Sequence, residues 1–469
     1  MASRLEPIAP TSAPIPIAPA IVIAGTHSGC GKTTVALALL AALTRRGVRA
    51  QPFKVGPDFI DPLWQSRATG RTSRNLDTWL LEPDMLAWTY LRATEDAGVA
   101  LIEGVMGLFD GRSGLDEAGS TADLARLWDV PVVLTVDARG LSRSAAALVR
   151  GFTTFDPSVD LAGVIANKVG SSRHFTHYLK PALGERADMP RPLGYLARDD
   201  ALSIPSRHLG LTTDSTFHRD GPLWHALADA AEATIDIDAI LAVARPPKLV
   251  APRQFDVLAS ELKPTMRVGV ARDAAFLFYY EDNLDLLRAA GAEVVAFSTL
   301  DDAAIPDDVD LIYLGGGYPE LHAPRLAANV SMRDSIRSYH ARGGRVYAEC
   351  GGMMACCSEL VDGFGRSYPM WGLIPARTVL GPRRAALGYA TIEATADTWF
   401  ADAGTRIRGH EFHYSRLEAE GPLTRVTSLL RADNPTKPDA VAVGGLVAGY
   451  AHAHFGSNPN AIRWPAPQR

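Results

Sequence analysis

The chain has 469 residues, room for two to four domains at about 100–200 residues each. Its 47% apolar and 21% charged content excludes a largely disordered polymer, and a net charge of -5, from 47 Lys and Arg against 52 Asp and Glu, argues against a nucleic-acid binder. The four cysteines (Cys30, Cys350, Cys356, Cys357) show no paired spacing. That excludes a disulfide scaffold and leads us to expect a reduced, cytoplasmic protein, with no apolar run of the ~18 residues that a membrane span needs.

Residues 1–19 carry five prolines and read as a flexible extension rather than a targeting segment. From Ala20 short apolar runs alternate with helical stretches. Ala20–Ala24, Ala100–Ile102, Pro131–Val136 and Leu161–Ala166 are expected strands, and Lys32–Arg46 an expected helix closed by Gly47. This alternation predicts a mostly parallel, doubly wound α/β sheet. A second series follows, with strands at Arg267–Ala271, Glu293–Phe297, Leu311–Leu314 and Arg345–Ala348 and a helix at Asp282–Ala290. The prolines at 246, 247, 252 and 264 place a linker between the two series. The expected division is 20–245, a linker over 246–265, and 266–460.

The first strand runs into Gly25-Thr26-His27-Ser28-Gly29-Cys30-Gly31-Lys32-Thr33-Thr34 and then a helix. Glycines let backbone N–H groups curl round phosphates, the lysine reaches the outer phosphates, and a hydroxyl serves Mg²⁺. Gly29, Gly31, Lys32, Thr33 and Thr34 are therefore the expected ATP contacts. Five residues, not four, separate Gly25 from Gly31, and His27 stands where partition ATPases carry a second lysine. Lys54–Pro62, containing Asp58 and Asp61, and Leu101–Gly111, containing Glu103 and Asp110, add carboxylates at strand ends, the edge where open α/β sheets hold ligands. Glu103 would face Thr33 as a Mg²⁺ partner. Taken singly, Asp61 and Asp110 read as helix caps or turns. Asn167 either reads the adenine ring or caps a helix.

In the second series Arg345–Glu349 leads to Cys350-Gly351-Gly352, a strand, a nucleophile and a tight glycine turn. A helix N-terminus beneath the sulfur is expected to favour thiolate. The base is sought in Gly409–Tyr414 or Tyr450–Phe455, where His452 and His454 alternate on one face. The glycine loop Leu314–Glu320 suits an oxyanion, with Gly316, Gly317 and Gly351 as donors. Cys356 and Cys357 read as packing residues.

Together these motifs, with Asn75-Leu76-Asp77, Pro205–Leu211 and Gly409–Ser415, resemble the class I glutamine amidotransferases of the cobalamin pathway, joined to a dethiobiotin-synthetase-like ATP domain. Within them the likeness is to the a,c-diamide synthases of cobyrinic or hydrogenobyrinic acid. The resemblance implies a flavodoxin-like amidotransferase sheet and amidation of the a and c acetates through an acyl phosphate. It implies ATP with Mg²⁺, metal ligation by Thr33, Asp58 and Glu103, and substrate contacts at Asp61 and Asp110. It also implies small-molecule partners only and a homodimer. Ordinary triad amidotransferases carry Glu two residues after the histidine; here that residue is His454. The cobalamin branch shares this lack, so the resemblance implies a Cys350–His452 dyad. The alternatives are the same chemistry on another tetrapyrrole such as nickel sirohydrochlorin, and a nucleotide switch in which Cys350 is merely buried.

Overall fold

A computed structural model describes residues 17–184, 188–204, 206–207, 210–211, 221–253, 266–431 and 435–462. Most of the proline-rich extension, part of the expected linker (254–265) and part of the Pro205–Leu211 motif lie outside the described residues.

The first half is a parallel sheet of β1 (Ala20–Gly25), β2 (Ala50–Val55), β3 (Arg74–Leu76), β4 (Val99–Glu103), β5 (Val132–Asp137), β6 (Leu161–Val169) and β7 (Arg191–Ala197). Its order is β3-β2-β4-β1-β5-β6-β7. All six residues of β1 are buried, as a central strand covered by helices on both faces requires. Helix α1 (Lys32–Arg45) buries the unbroken run Val35–Leu43 against one face, and α2 (Ile60–Thr69) follows β2. Because the strands are parallel, the loops after β1 and β2 and the end of β4 meet at one edge. Register fixes their spacing: Ile23 pairs with Glu103, and Lys54 pairs with Glu103 from the other side.

The second half is built on a six-stranded sheet in the order 292–297, 266–271, 311–314, 345–349, 446–449, 441–443, of which the last strand alone is antiparallel to its neighbour. The expected strands and the helix near Asp282, observed as Glu281–Ala289, lie within one residue of the expected bounds. Two further sheets, a mixed one of four strands and an antiparallel one of five, were not foreseen; their strands are mixed in burial, as in Ile374–Leu380, where only Ile374, Ala376 and Thr378 are buried. The five-stranded sheet sets His410 opposite His452.

The halves touch through polar and aromatic contacts. Arg74 Nη1 lies 2.7 Å from Asp285 Oδ2 and 3.2 Å from Asp282 Oδ1, Tyr389 OH donates to Asp77, and Arg408 Nη1 donates to the Trp79 carbonyl at 2.9 Å. Phe59, between Asp58 and α2, has its ring centroid 5.5 Å from that of Phe278, 4.7 Å from Tyr280 and 4.8 Å from His452. The edge of the first sheet thus abuts the region of Cys350.

Candidate functional site

The phosphate loop has the shape its glycines predict. Gly29 and Gly31 have φ of 82° and 95°, a left-handed conformation that costs other residues strain. Gly31 leads directly into α1, so the first-turn N–H groups of that helix point into the loop. The loop is braced from β6: Asn167 Nδ2 donates to the Cys30 carbonyl at 2.9 Å, and Lys168 Nζ donates to the Gly29 carbonyl at 2.6 Å. A Cβ on Gly31 would collide with the Asn167 amide. Asn167 therefore clamps the loop, a role neither of its two sequence readings contained. Lys32 is buried, with Nζ 3.4 Å from the His27 carbonyl, and burial lowers its pKa. Thr34 follows in the first turn.

Beneath the loop lies a charged cluster. Thr33 Oγ1 donates to Glu103 Oε1 at 2.7 Å and is 3.4 Å from Asp61 Oδ2. Lys54 Nζ sits 2.7 Å from Asp61 Oδ2 and 3.0 Å from Glu103 Oε1, and Gln65 Nε2 donates to Glu103 Oε2 at 2.6 Å. Burial opposes the Lys54 charge, but the carboxylates of Asp61, Glu103 and Asp58 outweigh it and raise its pKa. Burial raises Glu103, whereas the Lys54 ammonium overcomes the same burial at Asp61 and lowers it.

The structure thus brings Asp61, expected as a substrate contact, into the Thr33–Glu103 cluster. Asp58, expected as a metal ligand, turns instead to α2: its Oδ1 accepts from Ile60 N at 2.7 Å and Asp61 N at 3.1 Å. Burial and the Asp61 carboxylate push Asp58 up to about 7. Asp110 is exposed and closes a turn by accepting from Gly107 N at 2.8 Å.

Among the described residues no group of three or more His, Cys, Asp or Glu is arranged to hold a metal by itself. Mg²⁺ accompanying a nucleotide does not need one, since it takes one or two protein oxygens and fills its shell with phosphates and water. The Thr33 hydroxyl and Glu103 carboxylate, hard oxygens within hydrogen-bond reach of each other beside the loop, fit that requirement. Lys54 already supplies a cation there, which opposes the burial that raises Glu103 and helps to place its oxygens. Lys54 and Gln65 were not singled out from sequence; the signal was a lysine inside the otherwise apolar run Pro52-Phe53-Lys54-Val55.

Cys350 stands at the end of the strand Arg345–Glu349 with φ 47° and ψ −103°, a strained elbow for a residue bearing a Cβ, and opens the helix Gly351–Cys356. It is 6% exposed and lines a cavity with Glu320, Gly317, Tyr318, Phe412 and His413. In the resting site the thiol is shifted in the direction opposite to the one expected. Burial raises the thiol pKa, the Glu320, Glu349 and Glu411 carboxylates act in the same direction, and the Gly351 N–H is too small an offset. Cys356 and Cys357 are buried packing residues, as expected.

Gly316 pairs with Phe278 and Gly317 with Phe276, and a Cβ on Gly316 would collide with the His452 ring. The Gly317 N–H faces Gly351, with 2.9 Å between that nitrogen and the place of a Gly351 Cβ. The oxyanion glycines, the cysteine elbow and His452 are thereby packed together. His452 is 2% exposed and its Nδ1 has no hydrogen-bond partner. His454 is buried, held neutral as burial lowers it to about 3, and its Nδ1 accepts from Gly456 N at 3.2 Å. His410 is likewise lowered to about 3, by burial and then by His452.

His413 is tied elsewhere. Its Nε2 lies 2.7 Å from Glu411 Oε1 and its Nδ1 2.7 Å from the Ser415 carbonyl, so both ring nitrogens face acceptors. Lys437 and Arg431 also bond Glu411, and despite its burial the His413 and Lys437 contacts lower it to about 2. Of the four late histidines, His452 is thus the one against the oxyanion glycines.

A phosphate loop with a hydroxyl–carboxylate pair in one half, abutting a cysteine elbow with a histidine and glycine amides in the other, defines the class of nucleotide-dependent glutamine amidotransferases. The CobQ/CobB/MinD/ParA nucleotide binding domain family matches residues 21–211, and the CobB/CobQ-like glutamine amidotransferase domain family matches residues 267–460. Similarity to curated proteins extends over both halves. The chain is 44% identical over 449 residues to the cobyrinate a,c-diamide synthase of Syntrophotalea carbinolica, covering 95% of this chain and 97% of that one. It is 40% identical to the enzyme of that name from Priestia megaterium, covering 94% and 95%, and 41% identical to that from Salmonella typhimurium, covering 96% and 98%. The chain belongs to the cobyrinate a,c-diamide synthase family.

Proposed function

We propose that this protein uses ATP and the amide nitrogen of glutamine to convert the a and c acetate carboxylates of cobyrinic acid, or of its cobalt-free counterpart hydrogenobyrinic acid, to amides. The observation that carries the reading is the pairing, in one chain, of the Thr33–Glu103 cluster under a phosphate loop with the Cys350–His452 site under an oxyanion turn. The relatives' names favour a corrinoid over nickel sirohydrochlorin.

A carboxylate is a poor electrophile, so the first half makes it a better one. Gly29, Gly31 and Lys32 hold the phosphates, and a substrate acetate oxygen displaces ADP from the terminal phosphate to give an acyl phosphate. Thr33 and Glu103 would hold Mg²⁺, which would supply neutralisation of the phosphate charge. Asp58 and Asp110 serve near the metal or substrate, and Asp61 holds Lys54.

In the second half the Cys350 thiol attacks the glutamine amide carbon as its proton passes to His452. Gly316, Gly317 and Gly351 N–H groups bear the developing oxyanion. The C–N bond breaks, His452 returns the proton to departing ammonia, and water cleaves the thioester to glutamate. Ammonia then displaces phosphate from the acyl phosphate. The reading carries with it a division near residues 245–265, a cytoplasmic location and a homodimer. Among the described residues no helix is long and apolar enough to cross a membrane.

Purified protein given ATP, Mg²⁺, glutamine and each tetrapyrrole in turn tests the reading by product mass. Diamide from cobyrinate or hydrogenobyrinate is expected; diamide from nickel sirohydrochlorin alone would contradict it.

A further inference from the structure

The residue two places after His452 is a neutral, buried histidine, so the dyad has no carboxylate where ordinary triad amidotransferases carry one. A different carboxylate faces the same ring nitrogen. Glu349 Oε2 lies 3.8 Å from His452 Nδ1, and both side chains are 2% exposed. That Nδ1 is buried without a hydrogen-bond partner, which is costly for an imidazole nitrogen unless something meets it at another stage of the reaction.

Glu349 is held in place from three sides. Its Oε1 accepts from Tyr347 OH at 2.9 Å and from Ala453 N at 3.0 Å, and its Oε2 accepts from Tyr313 OH at 3.0 Å. The parallel pairing of Glu349 with Gly449 puts the acid beside the end of the strand that precedes His452 by three residues. Asn283 locks the far side, its Nδ2 donating to the Ala453 carbonyl at 2.8 Å and its Oδ1 accepting from Phe455 N at 2.8 Å. The other ionisable groups facing His452 are His410 across the antiparallel pair and Cys350 beyond Gly316; the rest of the ring packs on Phe59.

We propose that Glu349, the residue immediately before the nucleophile, is the positioning acid of His452 and substitutes for the carboxylate missing at position 454. This rests on the reading of His452 as the proton acceptor of Cys350. At 3.8 Å the pair is outside hydrogen-bond reach and inside ion-pair reach, and catalytic contacts commonly tighten only as the reaction proceeds. When the Cys350 proton arrives, the ring becomes a cation with Nδ1–H aimed at a buried carboxylate. Glu349 fixes that orientation and stabilises the charge without itself taking the proton. One residue thus ends the strand that presents the nucleophile and orients the base, an arrangement that needs no acid downstream of the histidine.

The test is the pH dependence of glutamine hydrolysis in Glu349→Gln, which keeps the size and hydrogen-bonding capacity of the side chain and removes its charge. A fall in kcat of roughly 100-fold is expected, with the acid limb of kcat/KM moving down by about one pH unit because the imidazolium has lost its counter-charge. Glu349→Asp, which retains the charge, should bring the acid limb back toward its original position. Amide formation from added ammonia reports that the fold is intact in both variants. Hydrolysis within about threefold of the parent, a fall with an unmoved acid limb, or joint loss of the ammonia reaction would each overturn the proposal and leave Glu349 a structural anchor of Ala453. His452→Ala is run alongside. If it retains glutamine hydrolysis, the assignment of His452 itself has failed, which is a different result from an unmoved limb in Glu349→Gln.

Discussion

Tyr389 OH donates a 2.7 Å hydrogen bond to Asp77 Oδ2 and so ties the second half of the chain to the loop after β3. Asp77 is fully buried, also accepts from Trp79 N and Leu80 N at 2.9 Å each, and is pushed up to about 6 by burial. Tyr389→Phe removes one donor from a buried carboxyl. Unfolding by heat or urea should show a loss of about 1–2 kcal/mol at neutral pH. An unchanged midpoint would mean that this contact does not help to join the halves.

Asp58 makes a pH-dependent contribution of definite sign. Its folded pKa of about 7 lies above the ordinary 3.8, so protonated Asp58 favours the folded state. That contribution is complete below the unfolded pKa and disappears as pH rises through about 7. Asn at 58 keeps the cap on α2 and does not titrate. The stability of Asp58→Asn relative to the parent should therefore increase from pH 4 to pH 7.5, by about 1 kcal/mol or more. A difference that is flat with pH would show Asp58 to be an ordinary exposed acid.

Gly316 leaves no room for a side chain beside the His452 ring. Gly316→Ala should displace the ring and lower glutamine-dependent amidation by about 100-fold. Amidation from added ammonia, which needs only the first half, should change little. Equal loss with both nitrogen sources would place Gly316 in the folding of the chain rather than in the glutamine site.

Thr33 donates to Glu103, within the first half of the chain. Thr33→Ala should lower amidation about 100-fold with either nitrogen source, and raising Mg²⁺ should recover part of it. Glutamine hydrolysis measured without ATP should persist. Undiminished amidation would remove Thr33 from the phosphate and metal site.

The parts of the account that were legible in the sequence are those carried by contiguous residues. The phosphate loop and the cysteine elbow each compress a strand, a glycine turn and a helix into about ten positions, and each folds as read. The fold class followed from the apolar runs, because buried parallel strands are continuous in sequence. What was not legible depends on which way a side chain turns once elements pack. Asp58 and Asp61 are three apart at the start of one helix, and only the position of Lys54 on the neighbouring strand decides which carboxylate faces inward. Asn167 and Gly31 are distant in sequence, so their contact was invisible. Glu349 was quoted as part of the elbow without a role; a charged residue ending the run Val346-Tyr347-Ala348 was its one signal. The thiol at Cys350 shifts against the expected direction because packing buries the sulfur, with the Glu320, Glu349 and Glu411 carboxylates adding to the effect, and neither is visible in the contiguous motif.

The most direct measurement supplies glutamine labelled at its amide nitrogen, with ATP, Mg²⁺ and cobyrinate, to the parent protein and to Cys350→Ala. The account predicts diamide carrying the label at both the a and c acetates from the parent. It predicts none from the variant with glutamine, and diamide from the variant when ammonia is added. Labelled diamide from Cys350→Ala, or hydrolysis of ATP and glutamine by the parent without any amide on the corrinoid, would contradict it.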